Sequence, residues 1–275
     1  MKVLIVGARG MLGKDLMSVF GEYEPVGVDR DEMDVTDPDS VFKKMDEIQP
    51  DMVINASGYT AVDIAETPDG QQDAIAINGI AVGTLAEVCK KYDIPLVHFS
   101  TDYVFDGQKI GEYKENDMPA PLNHYGESKL LGETLLQKNT DKFYLIRTSW
   151  LYGQHGKNFV QTMIDLGEKG HQLTVVSDQI GKPTWTRDLA ESVMTLLVER
   201  RPYGIYHLVN EEPVSWYDFA VEIFAQLEMA VDIVPVSSQE FVRPALRPRN
   251  SALANTKFPL LRSHKDALQQ YLSTL

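Results

Sequence analysis

Tyr125 and Lys129, four residues apart, and the hydroxyl of Thr101 are the side chains of this 275-residue sequence best suited to moving a proton. A spacing of four puts Tyr125 and Lys129 on one face of a helix. A phenol normally keeps its proton to a pKa near 10. A neighbouring ammonium favours the phenolate and brings the acid toward working pH, so Lys129 is expected to lower the pKa of Tyr125. Thr101 lies in Ser100-Thr101-Asp102-Tyr103, just after the apolar run 95–99, where its hydroxyl can hold a carbonyl in place. The three groups suit ketone reduction, in which Tyr125 protonates an alkoxide that forms as hydride reaches the carbon. YxxxK alone is a common pattern of amphipathic helices, so the reading depends on what accompanies it.

A site for the hydride carrier accompanies it. Gly7-Ala8-Arg9-Gly10-Met11-Leu12-Gly13 follows the apolar run Val3–Val6 and opens a helical pattern. Gly7 permits a tight turn, Gly10 lets a diphosphate approach the backbone, and Gly13 allows close helix packing. Amide N–H groups around Gly10, Met11 and Leu12 are expected to receive phosphate oxygens. Asp29, at the end of the next strand, suits an adenosine ribose and favours NAD, whereas Arg30 suits a 2′-phosphate, so the pair leaves the choice open. Asp34 and Val35 lie where a loop can flank adenine. Ala56, Ser57 and Gly58 follow the strand 52–55, and small residues there admit a cofactor at the carboxyl end of a sheet. In such a site Lys129 also reaches the nicotinamide ribose.

The elements that must position these groups alternate. Strands are predicted at 2–6, 25–28, 52–55, 95–99 and 143–147, and helices at 11–20, 38–47, 72–92 and 124–138. Continuous apolar strands interleaved with helices imply a parallel, doubly wound Rossmann-type α/β sheet covered on both faces. After Trp150 the rhythm changes, with helices at 158–168, 186–200 and 215–227 and strands at 173–176 and 204–209. Residues 1–150 are expected to form the dinucleotide-binding domain, rejoined by parts of 185–210. Residues 151–275 are expected to form mainly a smaller, discontinuous α/β domain for the substrate, broken by Pro235, Pro244, Pro248 and Pro259.

Charge narrows the partners. Against 26 Lys and Arg stand 40 Asp and Glu, a net −14, which disfavours a nucleic-acid or membrane-surface binder. A local basic pocket for a small anion remains compatible, and Arg243, Arg247 and Arg249 can grip a diphosphate. The single Cys89 excludes an intramolecular disulfide and, with no signal peptide or membrane span in view, places the chain in the cytoplasm. His98, His124, His155, His171, His207 and His264 are dispersed without zinc-type spacing, so no metal site is expected.

With these residues in view, the sequence resembles the extended short-chain dehydrogenase/reductases, and within them the dTDP-4-dehydrorhamnose reductase family. The resemblance rests on GARGMLG at 7–13, NASGYTAVDIAE at 55–66, HFSTDYVFDG at 98–107, PLNHYGESKLLGE at 121–133, RTSWLYG at 147–153, DQIGKPT at 178–184, GIYHLVN at 204–210 and RPRNSALANTKF at 247–258. It implies NADPH or NADH as cofactor and a dTDP-sugar as substrate. By matching position it implies Thr101, Tyr125 and Lys129 as the catalytic triad. Gly10, Met11, Leu12, Asp29 and the loop Gly58-Tyr59-Thr60 match cofactor contacts. Thr101, Asp102 and Trp150 match positions near the sugar, with Tyr103 beside them at the same strand end, and Trp150 is expected to serve as an aromatic platform. A homodimer is compatible with the resemblance. Some members hold magnesium between subunits with acidic residues, one at the extreme C-terminus. This chain ends QQYLSTL and carries Lys14 beside Asp15, which speaks against that bridge.

Three other functions share all or part of this pattern. Another nucleotide-sugar 4-ketoreductase would share every feature above. Dehydratases and epimerases of the superfamily share fold and cofactor, but the dehydratase pattern has Thr-Asp-Glu where this chain has Thr101-Asp102-Tyr103. A non-catalytic regulatory subunit, like that of methionine adenosyltransferase, would not need Thr101, Tyr125 and Lys129 together.

Overall fold

The computed structural model describes residues 1–275. The first part alternates regularly: β1 (Val3–Val6), α1 (Met11–Val19), β2 (Pro25–Val28), α2 (Pro38–Ile48), β3 (Met52–Asn55), α3 (Pro68–Ala74), α4 (Ala81–Lys91), β4 (Leu96–Thr101), α5 (His124–Asn139) and β5 (Phe143–Thr148). The remainder comprises β6 (Leu151–Tyr152), α6 (Phe159–Gly167), β7 (Leu173–Val176), β8 (Ile180–Gly181), β9 (Thr184–Trp185), α7 (Thr186–Val198), β10 (Gly204–His207), β11 (Val214–Ser215), α8 (Trp216–Gln226), β12 (Ile233–Val236) and α9 (His264–Leu272).

Six parallel strands form the main sheet in the order β10-β5-β4-β3-β1-β2. Its strands are apolar on both faces because both faces are covered. Val3, Ile5, Ile54, Val97 and Ile146 pack with Leu16, Leu189 and Val193 of α1 and α7 on one side. Leu4, Val6, Val53, Leu96 and Leu145 pack with Val41, Leu85 and Leu136 of α2, α4 and α5 on the other. Although α7 and β10 lie after residue 185, they complete this layer, α7 against α1 and β10 beside β5. A separate core around Phe219, Ile223, Trp185 and Tyr271 joins α6, α8 and α9 to the small β7–β12 ladder.

Several elements depart from the sequence reading. The helix expected at 72–92 starts at Pro68, capped by Thr67, and passes through a π turn at Ile75–Ile80 between α3 and α4. Strand β4 runs through Ser100 and Thr101, so the Thr101 hydroxyl stands on the strand rather than after it. The last third, read as proline-broken, contains β12 and α9 as well, the latter capped by Ser263. Pro235 is accommodated in β12 because that strand pairs only with β7 and lies at an edge.

The helix that carries Tyr125 and Lys129 is fixed at both ends. At its start Asn123 accepts the Gly126 N–H at 2.8 Å and donates to the Leu246 carbonyl at 2.7 Å. Further along, Glu133 receives Arg147 of β5 in a two-pronged pair, Nε–Oε1 2.9 Å and Nη2–Oε2 2.7 Å. Both side chains are almost wholly buried, 2% and 1% exposed, so removing either partner strands a charge in the core. Arg147→Met is expected to lower unfolding free energy by about 3–5 kcal/mol. Arg147→Met with Glu133→Leu should recover most of that loss. Urea unfolding of the two variants decides it, and a single variant as stable as wild type would remove this pin from the account.

Candidate active site

The carboxyl ends of β1, β2 and β3 open into a cavity of about 490 Å³. It is lined by Gly7, Gly10, Asp29, Arg30, Asp34, Val35, Ala56, Ser57, Gly58 and Tyr59, which the sequence marked as dinucleotide contacts. It is also lined by Met33, Thr36, Asp73, Ala76 and Ile77, which were not foreseen. Asp73 lies on α3, and Ala76 and Ile77 lie on the π turn that follows, which no local pattern announced.

Two glycines of the turn are required by geometry. Gly7 has φ +78° and its backbone lies against Ser57, where a Cβ would sit 2.7 Å from the Ser57 nitrogen. At Gly13 a Cβ would meet the Gly7 carbonyl oxygen at 2.1 Å. Gly10 is looser, its nearest obstacle being the Gly7 oxygen at 3.2 Å. The Gly10 N–H, expected to be free, donates to the Gly7 carbonyl at 3.1 Å. The free donors therefore begin at Met11 and Leu12, the first residues of α1, whose N-terminus has no side-chain cap. The Leu12 side chain is buried in the core, so only its backbone faces the turn.

Around the turn charges are already paired. Asp29 accepts the Arg9 N–H at 2.9 Å, and the Arg9 guanidinium reaches Asp31 at 2.9 Å and also pairs with Glu32. Arg30 projects outward beside Asp34 at 3.6 Å. Hydrogen bonds from Thr36 hold the Asp34 carboxyl below its usual range. Arg9 is thus a second cation beside Asp29 and Arg30, unmarked by the glycine spacing alone.

The catalytic candidates converge at the end of β4. Tyr125 is partly buried, its phenol lies near Thr101 and Asp102, and its ring meets Tyr103 edge-on at 6.0 Å. Loss of water pushes the phenol up to about 12, the Thr101 contact offsetting part of the rise and the Asp102 charge adding to it. The expected lowering by Lys129 is not found. The buried Lys129 donates to the Phe99 carbonyl at 3.2 Å. Desolvation lowers its own pKa to about 8, with Glu133 pulling the other way. Burial thus raises the phenol and lowers the ammonium, each toward its neutral form. Lys129 also abuts the cofactor loop: a Cβ on Gly58 would lie 3.1 Å from its Nζ.

Asn78, within the π turn, ties these parts together. Its side chain accepts the Tyr59 N–H at 2.8 Å and donates to the Ser128 hydroxyl at 3.0 Å and to the Tyr59 carbonyl at 3.0 Å. The loop at Tyr59 is thereby joined to the helix of Tyr125 and Lys129. Thr60, at the loop's outer end, is exposed and lines none of the cavity described above.

On the opposite side, the Thr101 hydroxyl donates to Asp102 at 3.0 Å, and the same carboxylate accepts Ser251 at 2.5 Å. Burial pushes Asp102 up to about 7, against those hydrogen bonds. Arg247 is half-buried, pairs with Asp63, donates to the Ala245 carbonyl at 2.7 Å and lies near Tyr103. A cavity of about 550 Å³ is lined by Asp106, Gly107, Gln108, Leu122, Arg247 and Arg249. Arg243, 3.9 Å from Asp63, does not line it. Trp150, two residues beyond the Thr148 that pairs with Thr101, lies flat against Trp216 with ring centroids 3.4 Å apart.

The residues do not fit a magnesium bridge. Asp15 is buried and accepts the Thr186 hydroxyl at 2.5 Å, Glu191 accepts Arg187 at 2.6 Å, and the last nine residues contain no carboxylate side chain. No three His, Cys, Asp or Glu side chains are clustered to hold a metal ion.

The family model described as RmlD substrate binding domain matches residues 1–275. The dTDP-4-dehydrorhamnose reductase of Aggregatibacter actinomycetemcomitans is 41% identical over 271 residues, covering 93% of this chain and 91% of the relative. A dTDP-4-keto-6-deoxy-D-glucose reductase of Streptomyces niveus is 39% identical over 256 residues, covering 92% of this chain and 88% of the relative. The crystal structure of dTDP-4-dehydrorhamnose reductase from Bacillus anthracis, in complex with NADP, superposes with a TM-score of 0.95 at 37% identity, covering 100% of this chain and 99% of the other. The fold, the glycine turn and these full-length matches agree: the chain belongs to the dTDP-4-dehydrorhamnose reductase family.

Proposed function

We propose that this chain reduces dTDP-4-dehydro-L-rhamnose to dTDP-L-rhamnose with NADPH or NADH. The observation that carries the reading is that Tyr125 lies beside Thr101 while Lys129, on the same helix, abuts Gly58 of the proposed dinucleotide cavity. Tyr125 is protonated at neutral pH, its hydroxyl adjoins Thr101, and Lys129 connects it to the cofactor loop at Gly58. The bound dinucleotide supplies the hydride. Met11 and Leu12 amides, Asp29 and the 56–59 loop hold it, Asp34 and Val35 flank its adenine, and Arg9 and Arg30 accommodate a 2′-phosphate. Thr101 orients the 4-keto oxygen and Tyr125 delivers its proton to the alkoxide. Arg247 and Arg249 face the substrate diphosphate, and Tyr103, Asp102 and Trp150 bound the sugar.

The Streptomyces niveus relative supports a second reading, reduction of a different dTDP-4-keto sugar by the same residues. A panel of dTDP-4-keto sugars, followed by NADPH absorbance, separates the two. Oxidation with the rhamnose precursor alone, or fastest with it, supports the first, and its absence alongside turnover of another 4-keto sugar supports the second.

Tyr125→Phe preserves the ring and removes the proton donor, so kcat should fall by roughly 10²–10⁴-fold with cofactor affinity nearly unchanged. Single-turnover NADPH oxidation measures the loss, and wild-type turnover would contradict the mechanism. Gly10→Val crowds the Gly7 carbonyl less than a substitution at Gly13 would and fills the diphosphate approach. It should weaken NADPH binding at least tenfold with little change in Tm, whereas Gly13→Ala should lower Tm by its collision with the Gly7 carbonyl. Fluorescence titration and thermal melts check both. Lys129 loses its charge as pH rises through about 8, well before Tyr125 ionises. The kcat/KM for cofactor should therefore fall above pH 8, and a flat profile to pH 10 would deny the ammonium a role.

A further inference from the structure

Trp150 has a left-handed backbone, φ +49°, a conformation that a bulky side chain adopts only when its surroundings hold it there. Two neighbours supply that hold. Trp216, the first residue of α8, stacks on it with an interplanar angle of 5° and a centroid separation of 3.4 Å. From β8, Gly181 approaches so closely that a Cβ there would lie 2.4 Å from Cε2 of the indole and 2.6 Å from both Cζ2 and Nε1. An approach in the ring plane would bring that position nearer to the two outer atoms than to Cε2, so it lies over the ring. Trp216 lies flat across one face, which leaves Gly181 the other.

The pairing of Val214–Ser215 with Ile180–Gly181 holds the two layers of this sandwich in register. Phe159 backs Trp216 at a centroid distance of 4.6 Å. The sequence reading cast Trp150 as a platform for the sugar face. With both faces covered, the indole has only an edge to offer the cleft beside Thr148 and Thr101.

We propose that Trp216 and Gly181 are positioning residues that clamp Trp150 so that it meets the sugar ring edge-on, as a wall rather than a platform. This rests on the proposed substrate reading. An edge wall discriminates by shape: it excludes a ring substituent that points at it and packs against the sugar whose edge fits, so the affinity it gives is selective. Trp216 therefore affects sugar recognition without touching sugar or dinucleotide.

The test compares wild type with Trp216→Ala, Trp216→Phe and Gly181→Ala. Calorimetry measures dTDP-L-rhamnose binding, fluorescence measures NADPH binding, and near-ultraviolet circular dichroism reports the tryptophan pair. Trp216→Ala is expected to change the dichroism and weaken dTDP-L-rhamnose binding about tenfold, with NADPH affinity within twofold. Trp216→Phe should restore most of the affinity, since a stacked ring remains. Gly181→Ala, which disturbs the sandwich from the other face, should mimic Trp216→Ala, and decides the matter if the latter does not fold. Unchanged sugar affinity in folded variants, or equal weakening toward both ligands, overturns the proposal. If wild type binds dTDP-L-rhamnose yet fails to oxidise NADPH with the keto sugar, the reaction reading falls and the calorimetric comparison still decides the clamp. If wild type does not bind dTDP-L-rhamnose, both fall.

Discussion

Desolvation at the carboxyl end of β4 is the constraint on which the chemistry depends. Lys129 is 5%, Thr101 6% and Asp102 2% exposed. Removing water raises the Tyr125 phenol and the Asp102 carboxyl and lowers the Lys129 ammonium. All three shifts favour neutral forms, the direction burial imposes on every ionisable group. The result differs from a phenol activated toward phenolate by its lysine. Tyr125 keeps its proton across the physiological range, as the proposed proton donor requires, and the charge on Lys129 becomes the quantity sensitive to pH.

Such burial requires rigid support, and the fold provides it through polar contacts between distant segments. Asn123 caps α5 and holds the Leu246 carbonyl. Asp102 draws Ser251 to the end of β4, and Asp63 pairs with Arg247. The segment 245–251 is thus joined to α5, β4 and the loop after β3. Arg147 and Glu133 fix the same helix to the sheet from below. These bonds set the cleft geometry even though few of their residues face it.

What was legible in the sequence follows from the range of each interaction. Strands buried on both faces are apolar runs, so the parallel sheet was readable strand by strand. Within the glycine turn, only Gly13 has its steric reason close by, in the Gly7 carbonyl, whereas Gly7 is held against Ser57; the Tyr125–Lys129 spacing is local. The pairing state of the Gly10 amide was not readable, because the turn's own carbonyl claims it. The π turn at Ile75–Ile80 and its Asn78 bridge depend on contacts with Tyr59 and Ser128, 19 and 50 residues away. Helix α9 was missed because the prolines before it dominate the local pattern. The Trp150–Trp216 stack and the Asp63–Arg247 pair join residues far apart in sequence, which spacing does not reveal. The direction of the Tyr125 shift was misjudged because a sequence shows that a lysine is near but not how much water is lost.

The most direct test of this account is the ionisation of Tyr125 itself. Phenolate absorbs near 295 nm, and the difference between wild type and Tyr125→Phe isolates one tyrosine among the 12 in the chain. Titration of the ligand-free protein from pH 7 to 10 should show no phenolate step in that difference, since burial holds this phenol near 12. A step between pH 7 and 9 would show that Lys129 overcomes desolvation, and would contradict the proton-loaded site on which the account depends.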